Sequence, residues 1–280
     1  MTYEDIWRRL SAVCGQGEAK AIARMLLEEK FGMSLADILC GGMDTLSAED
    51  TRWLEQAVGR LEQSEPVQYV LGEAWFCGNR FAVGEGVLIP RPETEWLVER
   101  VCSLSEGRDV SGLRVLDIGT GSGCIAVSVK KALPEAYVEA WDISPEALAI
   151  ASANAHSLGA EVSFVQRDVL NLGSSSDRWD IIVSNPPYIC YRERAGMDAN
   201  VLDHEPATAL FVPDDDPQLF YRAITGYAAK SLRPGGRLLF ECNTQYAGDT
   251  SSLMLDGGLA GVRVVDDCFG KPRFAEGKMP

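Results

Sequence analysis

The chain has 280 residues, 46% of them hydrophobic and 24% charged, with a formal net charge of −15. Such a length suits two domains of an ordinary soluble protein, while the acidic excess works against docking on a polyanion such as nucleic acid and favours a basic protein partner. No apolar run approaches the roughly 18–20 residues of a membrane-spanning helix, and the first ten residues lack the basic-then-apolar pattern of a secretory signal, so neither is expected.

Up to about residue 72 the pattern is helical. Ile6, Leu10, Val13 and Cys14 fall at helical spacing, and Ala21, Ala23, Met25, Leu26 and Leu27 supply a second helix that ends near Phe31-Gly32. Ser47, three residues before Asp50, predicts a third helix start, continued by Trp53, Leu54, Val58 and Leu61. The texture changes at Gln68-Tyr-Val-Leu-Gly-Glu. Trp75-Phe-Cys-Gly-Asn-Arg-Phe-Ala-Val then predicts a β-hairpin turning at Gly78-Asn79. Leu88-Ile-Pro-Arg-Pro-Glu-Thr-Glu leads into a helix from Glu95 to about Leu104, with Pro92 suited to its first turn.

From residue 113 short apolar strands over 114–118, 137–142, 162–166, 181–184 and 237–242 alternate with helical stretches that include 125–133 and 145–155. This alternation predicts a parallel sheet covered on both faces. Such sheets bind ligands beyond the C-terminal ends of their strands, so the informative loops follow residues 118, 142, 166 and 184.

The first of these, Val115-Leu-Asp-Ile-Gly-Thr-Gly-Ser-Gly-Cys-Ile-Ala, is a strand, a glycine-rich turn and a helix start. Gly119, Gly121 and Gly123, with Thr120 and Ser122 between them, let the backbone turn tightly and approach a ligand. A dinucleotide fold prefers G-x-G-x-x-G, which would place glycine or alanine at Cys124. Asp117 beneath the loop is a poor neighbour for a pyrophosphate and suits a ligand carrying an ammonium and a sulfonium. Asp142, followed by Ile143, stands where an acid accepts from ribose hydroxyls. Asp168 is placed to accept from an adenine amino group and Val169 to pack on its ring. Singly, glycines make turns and acids cap helices. In this order and at these strand ends they predict a cofactor site.

The fourth strand ends Asp180-Ile-Ile-Val-Ser-Asn-Pro-Pro-Tyr-Ile. Asn-Pro-Pro alone is a turn signal; directly after a strand beside the cofactor crevice it predicts chemistry on an amide or adenine amino nitrogen. That nitrogen is a weak nucleophile because its lone pair is delocalised. The Asn185 side-chain oxygen and the Pro186 carbonyl can each accept one of its N–H groups as positive charge grows on it. Pro186 and Pro187 stiffen the loop, and Tyr188 offers a flat face to a planar group. No general base is needed, in keeping with only two histidines, His156 and His204, neither of them in a catalytic setting.

With these motifs the chain resembles the HemK/PrmC-type glutamine-N5 methyltransferases that modify peptide chain release factors, over nearly its whole length. Beyond the glycine loop and Asn185-Pro-Pro-Tyr188, the resemblance rests on Tyr69-Val-Leu-Gly, Leu88-Ile-Pro-Arg-Pro-Glu-Thr-Glu, Glu205-Pro-Ala-Thr-Ala-Leu, and Phe269-Gly-Lys-Pro-Arg-Phe, which looks like the family's last hairpin. It implies a class I methyltransferase: a Rossmann-like α/β domain with a mostly parallel seven-stranded sheet, a small helical N-terminal domain and a linking hairpin. The expected division is 1–72 for substrate docking, 73–90 for the linker and 91–280 for catalysis. The implied cofactor is S-adenosylmethionine, leaving as S-adenosylhomocysteine, held by Asp117, Gly119 to Gly123, Asp142, Ile143, Asp168, Val169 and Asn185. Asn185, Pro186, Pro187 and Tyr188 would hold the glutamine of the release factor's Gly-Gly-Gln loop. The sequence departs from the family pattern at Glu241-Cys-Asn, where Glu-x-Gly is expected, and at Val169, which is aromatic in some relatives. An adenine-N6 nucleic-acid methyltransferase is the rival reading, opposed by the net charge and by the lack of a Lys/Arg-rich insertion or a target-recognition domain. A non-catalytic cofactor-binding protein has no need of an intact Asn185-Pro-Pro-Tyr188, and a small-molecule methyltransferase has no need of the N-terminal domain. Eight scattered cysteines without a C-x-x-C pair indicate neither a metal site nor a redox motif. They suggest a reducing cytoplasm, where a monomer acting on release factors without direct nucleic-acid binding is expected.

Overall fold

The computed structural model describes residues 1–172 and 178–280. The chain forms two units, Met1–Ala74 with Met197–His204, and Trp75–Gly196 with Glu205–Pro280. In the first unit, α1 (Tyr3–Leu10) starts at Thr2, whose hydroxyl accepts from the Asp5 amide while the Asp5 carboxylate accepts from the Thr2 amide. This reciprocal pair satisfies amides that a helix start leaves open. α2 (Gln16–Phe31) ends at Gly32, whose φ of 66° is left-handed. α3 (Leu35–Leu39), α4 (Ala48–Leu61, capped by Ser47 as predicted) and α5 (Val67–Leu71) follow. Ile6, Leu10, Ala19, Ala23, Leu26, Leu27, Leu54 and Val58 fill a shared core. Val13, Ala21 and Met25, expected among the apolar residues of the first two helices, are exposed. Val13 lies beyond the end of α1, and on α2 it is Ala19 that turns inward.

β1 (Glu73–Phe76) and β2 (Asn79–Ala82) make the hairpin. Its turn residues are Cys77 and Gly78, with φ of 47° and 69°, one position before the predicted Gly78-Asn79. Asn79 begins β2 instead, and its side-chain Nδ2 donates to the Cys77 carbonyl at 2.8 Å. α6 (Glu95–Ser105) follows a short turn over Pro92–Thr94. Then come β3 (Arg114–Ile118), α7 (Cys124–Ala132), β4 (Tyr137–Asp142), α8 (Pro145–Ser157), β5 (Ser163–Gln166), β6 (Trp179–Ser184), β7 (Ile189–Cys190), α9 (Ala199–His204), α10 (Ala207–Leu210), β8 (Phe211–Val212), α11 (Leu219–Ser231), β9 (Leu232–Glu241), α12 (Ala247–Asp256), β10 (Ala260–Asp266) and β11 (Pro272–Lys278). α9 lies in the stretch expected to be catalytic, yet it belongs to the first unit.

The main sheet has seven strands in the order β10-β11-β9-β6-β3-β4-β5. Its strands from β9 to β5 are parallel, and β11 runs antiparallel to both of its neighbours, β9 and β10. Successive residues of a strand face opposite sides, which is why Val115, Ile181, Val183 and Leu239 join one core while Leu116, Ile182, Leu238 and Phe240 join another. The order reverses beside β3, whose neighbours are β4 and β6, and a crevice for ligands opens at such a point. No helix among the described residues is long and apolar enough to cross a membrane.

Candidate active site

A cavity of about 390 Å³ opens where the theory of parallel sheets places it, beyond the ends of β3, β4, β5 and β6. Gly119, Gly121, Asp142, Ile143, Asp168, Val169, Asn185, Pro186 and Pro187 line it. A second cavity, of about 410 Å³, lies at the opposite end of the sheet beside Leu104, Gly112, Pro234 and Lys278. It contains none of the candidate cofactor or substrate residues, so the first cavity is the candidate site.

Backbone geometry builds one wall. Gly119, Gly121 and Gly123 all have left-handed φ, at 76°, 55° and 82°. A Cβ added at Gly119 or Gly121 would meet no atom within 4 Å, whereas one at Gly123 would stand 3.0 Å from the Ala151 methyl. The first two therefore leave open space for a ligand, and the third lets α8 pack closely. Asp142 braces the loop, one carboxylate oxygen accepting from the Gly121 amide at 2.9 Å and the other from the Ser144 amide at 3.0 Å. Asp168 accepts from the Leu170 amide at 2.9 Å and from the Asn171 side chain.

Asp117, Thr120, Ser122 and Gly123 do not line the cavity. Asp117 is fully buried beneath the loop, where its Oδ2 accepts from the Thr120 hydroxyl at 2.6 Å. Burial pushes its carboxyl up to about 7. The Asp117 carboxyl lies under the turn of Gly119–Gly123 and supports it from below. Ser122 is buried as well, its carbonyl accepting from the Asn154 side chain at 2.9 Å.

Side chains from distant segments build the other wall. The register of β6 on β9 pairs Ser184 with Phe240, which sets Asn185 beside Glu241 at the strand ends. The Asn185 Nδ2 donates to the Thr94 hydroxyl at 3.3 Å, and that hydroxyl donates to the Glu241 Oε2 at 2.6 Å. The other oxygen of Glu241 accepts from the Tyr188 hydroxyl at 3.2 Å. Burial raises the Glu241 carboxyl; Thr94, Arg273 and Tyr188 pull it back down. Tyr188 does not line the cavity. Its ring packs, partly buried, against the second core, and its hydroxyl reaches Glu241. Tyr191, stacked on Phe211 with ring centres 5.1 Å apart, lines the cavity instead. Asn243, where a glycine was expected, donates to the Tyr188 carbonyl at 3.1 Å and to the Glu193 carboxylate at 3.2 Å, tying down the loop from its far side.

Glu205 explains a second motif. Its buried carboxylate accepts from the Ile89 amide at 3.1 Å and from Arg91 at 2.5 Å. It thereby joins Leu88-Ile-Pro-Arg to the segment Ala207–Ala209 at the cavity wall. Sequence reasoning missed the roles of Thr94, Arg91, Glu205, Tyr191 and Trp141, the last lining the cavity just before Asp142. Only their clustering in motifs without a local structural purpose could have signalled them.

Comparison with known proteins bears on this geometry. Residues 7–72 match a family model described as the PrmC N-terminal domain, and residues 94–203 match the methyltransferase small domain. A release factor glutamine methyltransferase of Bacteroides thetaiotaomicron is 49% identical over 92% of this chain and 91% of its own length. One of Flavobacterium psychrophilum is 38% identical over 95% and 93%. Among solved structures, a 16S rRNA N2 G1207 methyltransferase (RsmC) of Thermus thermophilus has a TM-score of 0.54 at 18% identity, covering 74% of this chain and 50% of that one. A methyltransferase of Pyrococcus furiosus has a TM-score of 0.52 at 17% identity, covering 72% and 90%. These two likenesses concern the fold, that of the class I methyltransferases. The full-length relatives carry both the helical and the catalytic parts at high identity, and with them the chain belongs to the release factor glutamine methyltransferase family.

Proposed function

We propose that this protein transfers a methyl group from S-adenosylmethionine to the side-chain amide nitrogen, N5, of a glutamine in a peptide chain release factor, the glutamine of its Gly-Gly-Gln loop. The observation that carries the reading is Asn185, set at the cavity edge by the end of β6 with its Nδ2 engaged by Thr94. The cavity fits the cofactor: its size is that of a small-molecule pocket, and Gly119 and Gly121 leave a cradle that any Cβ would fill. Asp142 would accept from the ribose hydroxyls, Asp168 from the adenine amino group, and Ile143 and Val169 would flank the ring. Bound S-adenosylmethionine supplies a methyl group on a positively charged sulfur, and S-adenosylhomocysteine is the product.

The protein's part is to present the weak amide nucleophile. Oδ1 of Asn185 and the carbonyl of Pro186 accept its two N–H groups, turning the nitrogen lone pair towards the methyl. As the N–C bond forms and the S–C bond breaks, positive charge grows on nitrogen and both acceptors bind more strongly. That difference between ground and transition state is what accelerates the step. A proton then leaves the nitrogen to solvent. The helical unit, with no chemistry of its own, supplies the docking surface for the release factor, and the protein acts as a monomer in the cytoplasm. Incubation of purified release factor with S-adenosylmethionine and this protein, followed by mass spectrometry, tests the proposal. A gain of one methyl on the Gly-Gly-Gln peptide is expected; methylated adenine in added nucleic acid, with an unmodified peptide, overturns it.

A further inference from the structure

An asparagine side chain has an accepting end and a donating end of nearly equal size, and only its neighbours decide which one faces a substrate. Here the neighbours form a one-way chain. Both oxygens of Glu241 receive a hydroxyl proton, one from Thr94 at 2.6 Å and one from Tyr188 at 3.2 Å. A threonine hydroxyl has a single proton. With that proton committed to Glu241, the Thr94 oxygen can only accept, and it accepts from Nδ2 of Asn185 at 3.3 Å. Thr94 is 3% exposed and Glu241 1%, so water does not compete freely for either group.

We infer that Thr94 and Glu241 are positioning residues for methyl transfer: together they fix the amide of Asn185 so that its oxygen, not its nitrogen, is offered to the reacting group. The inference rests on the role proposed above for Asn185. A reversed amide would present N–H groups to the substrate's own N–H and to the growing positive charge. It would then oppose the transition state that it should stabilise. The arrangement also gives a purpose to residues that do not line the cavity. Thr94 sits at the start of α6, and Glu241 closes β9 beside the end of β6. Neither touches the reactants, so both act only through Asn185 and the loop it begins.

Single-turnover methylation of release factor by the full-length protein, at saturating S-adenosylmethionine, separates positioning from simple structural support. Thr94→Val keeps the shape and removes the hydroxyl. It is expected to slow the chemical step about 10–100-fold, with the KM values for both substrates changed by no more than about twofold and melting near normal. Thr94→Ser, which keeps the hydroxyl, restores the rate. In an Asn185→Ala background Thr94→Val causes no further loss, because the residue it positions is gone. Glu241→Gln, whose amide group can donate to Thr94 and reverse the chain, slows the step as Thr94→Val does and serves where the valine variant folds poorly. An unchanged chemical step in either single variant overturns the inference, as does a Thr94→Val loss that multiplies in full with that of Asn185→Ala. An Asn185→Ala protein with a normal chemical step gives a different result, since it removes the proposed role of Asn185 itself.

Discussion

The two walls of the cavity are held by different means. On the side of β3 and β4 the loop is shaped by its own backbone: three glycines with left-handed φ within five residues, braced by Asp142 at the end of the adjacent strand. On the side of β6 the short segment Asn185–Tyr188 is held by side chains far away in sequence. Thr94 lies 91 residues from Asn185, Glu241 lies 53 from Tyr188, and Asn243 lies 55 from it. A backbone-shaped wall needs particular residues at particular positions in one short stretch. A wall held by remote side chains needs the whole sheet to be assembled before it has a shape. The first arrangement suits a rigid cradle for a cofactor, and the second places a polar group with the accuracy that a reaction demands.

Substitutions can break this contrast, and the largest effect is expected on the side-chain wall. Asn185→Ala should lower the rate of the chemical step about 10²–10³-fold, the scale of losing one preorganised electrostatic partner, with near-normal melting. Single-turnover kinetics at saturating cofactor and substrate check it; if the residue only shapes the turn, stability and cofactor affinity fall together and the rate recovers at saturation.

Gly123→Ala attacks the backbone wall. A left-handed alanine costs about 1–2 kcal/mol, and crowding a packed site adds about 1–3 kcal/mol. The new Cβ would sit 3.0 Å from the Ala151 methyl and 3.2 Å from its Cα. Denaturant unfolding should show a loss of about 2–5 kcal/mol, and a variant as stable as the parent would mean that α8 moves away freely.

Asp142→Ala sharpens the comparison, because this residue braces the backbone and is the one proposed above to hold the cofactor's ribose. Losing charge-assisted hydrogen bonds should weaken cofactor binding by about 1.5–3 kcal/mol. Calorimetric titration measures it, and unchanged affinity in a folded protein removes the ribose assignment.

A pH-dependent effect concerns Asp117 under the same loop. Its folded-state pKa is raised from 3.8 to about 7 by burial. The folded protein therefore binds the proton more tightly than the unfolded chain. The stabilisation that this proton supplies is complete below pH 3.8 and is lost as pH rises through about 7. Asp117→Asn, which stays neutral, should gain melting temperature relative to the parent as pH goes from about 5 to 8. A difference that does not change over that range would show that the carboxyl ionises without cost.

Much of this arrangement was legible in the residues. β3 and β4 have the predicted bounds, 114–118 and 137–142, since strand propensity, the glycine turn after β3 and the Ser144-Pro145 helix start after β4 are local properties. β9 begins at Leu232, before the predicted 237, because Pro234 and two glycines masked its first half. Asn185-Pro-Pro at the end of a strand was readable for the same local reason as the glycine loop. The partners of that segment were not. That Tyr188 turns its hydroxyl inward to Glu241, leaving Tyr191 at the cavity, depends on which strand lies beside β6. That Asp117 is sealed under its loop depends on how the loop closes.

The sequence by itself determined the alternation of strands and helices, the glycine loop with its acids at successive strand ends, and the presence of Asn-Pro-Pro-Tyr directly after a strand. Each of these follows from preferences that act over a few neighbouring residues. Only the tertiary structure decided which end of Asn185 is free, which aromatic ring lines the cavity, and that Met197–His204 joins the first unit. Those outcomes depend on strand order and register, which bring residues from opposite ends of the chain within hydrogen-bond distance.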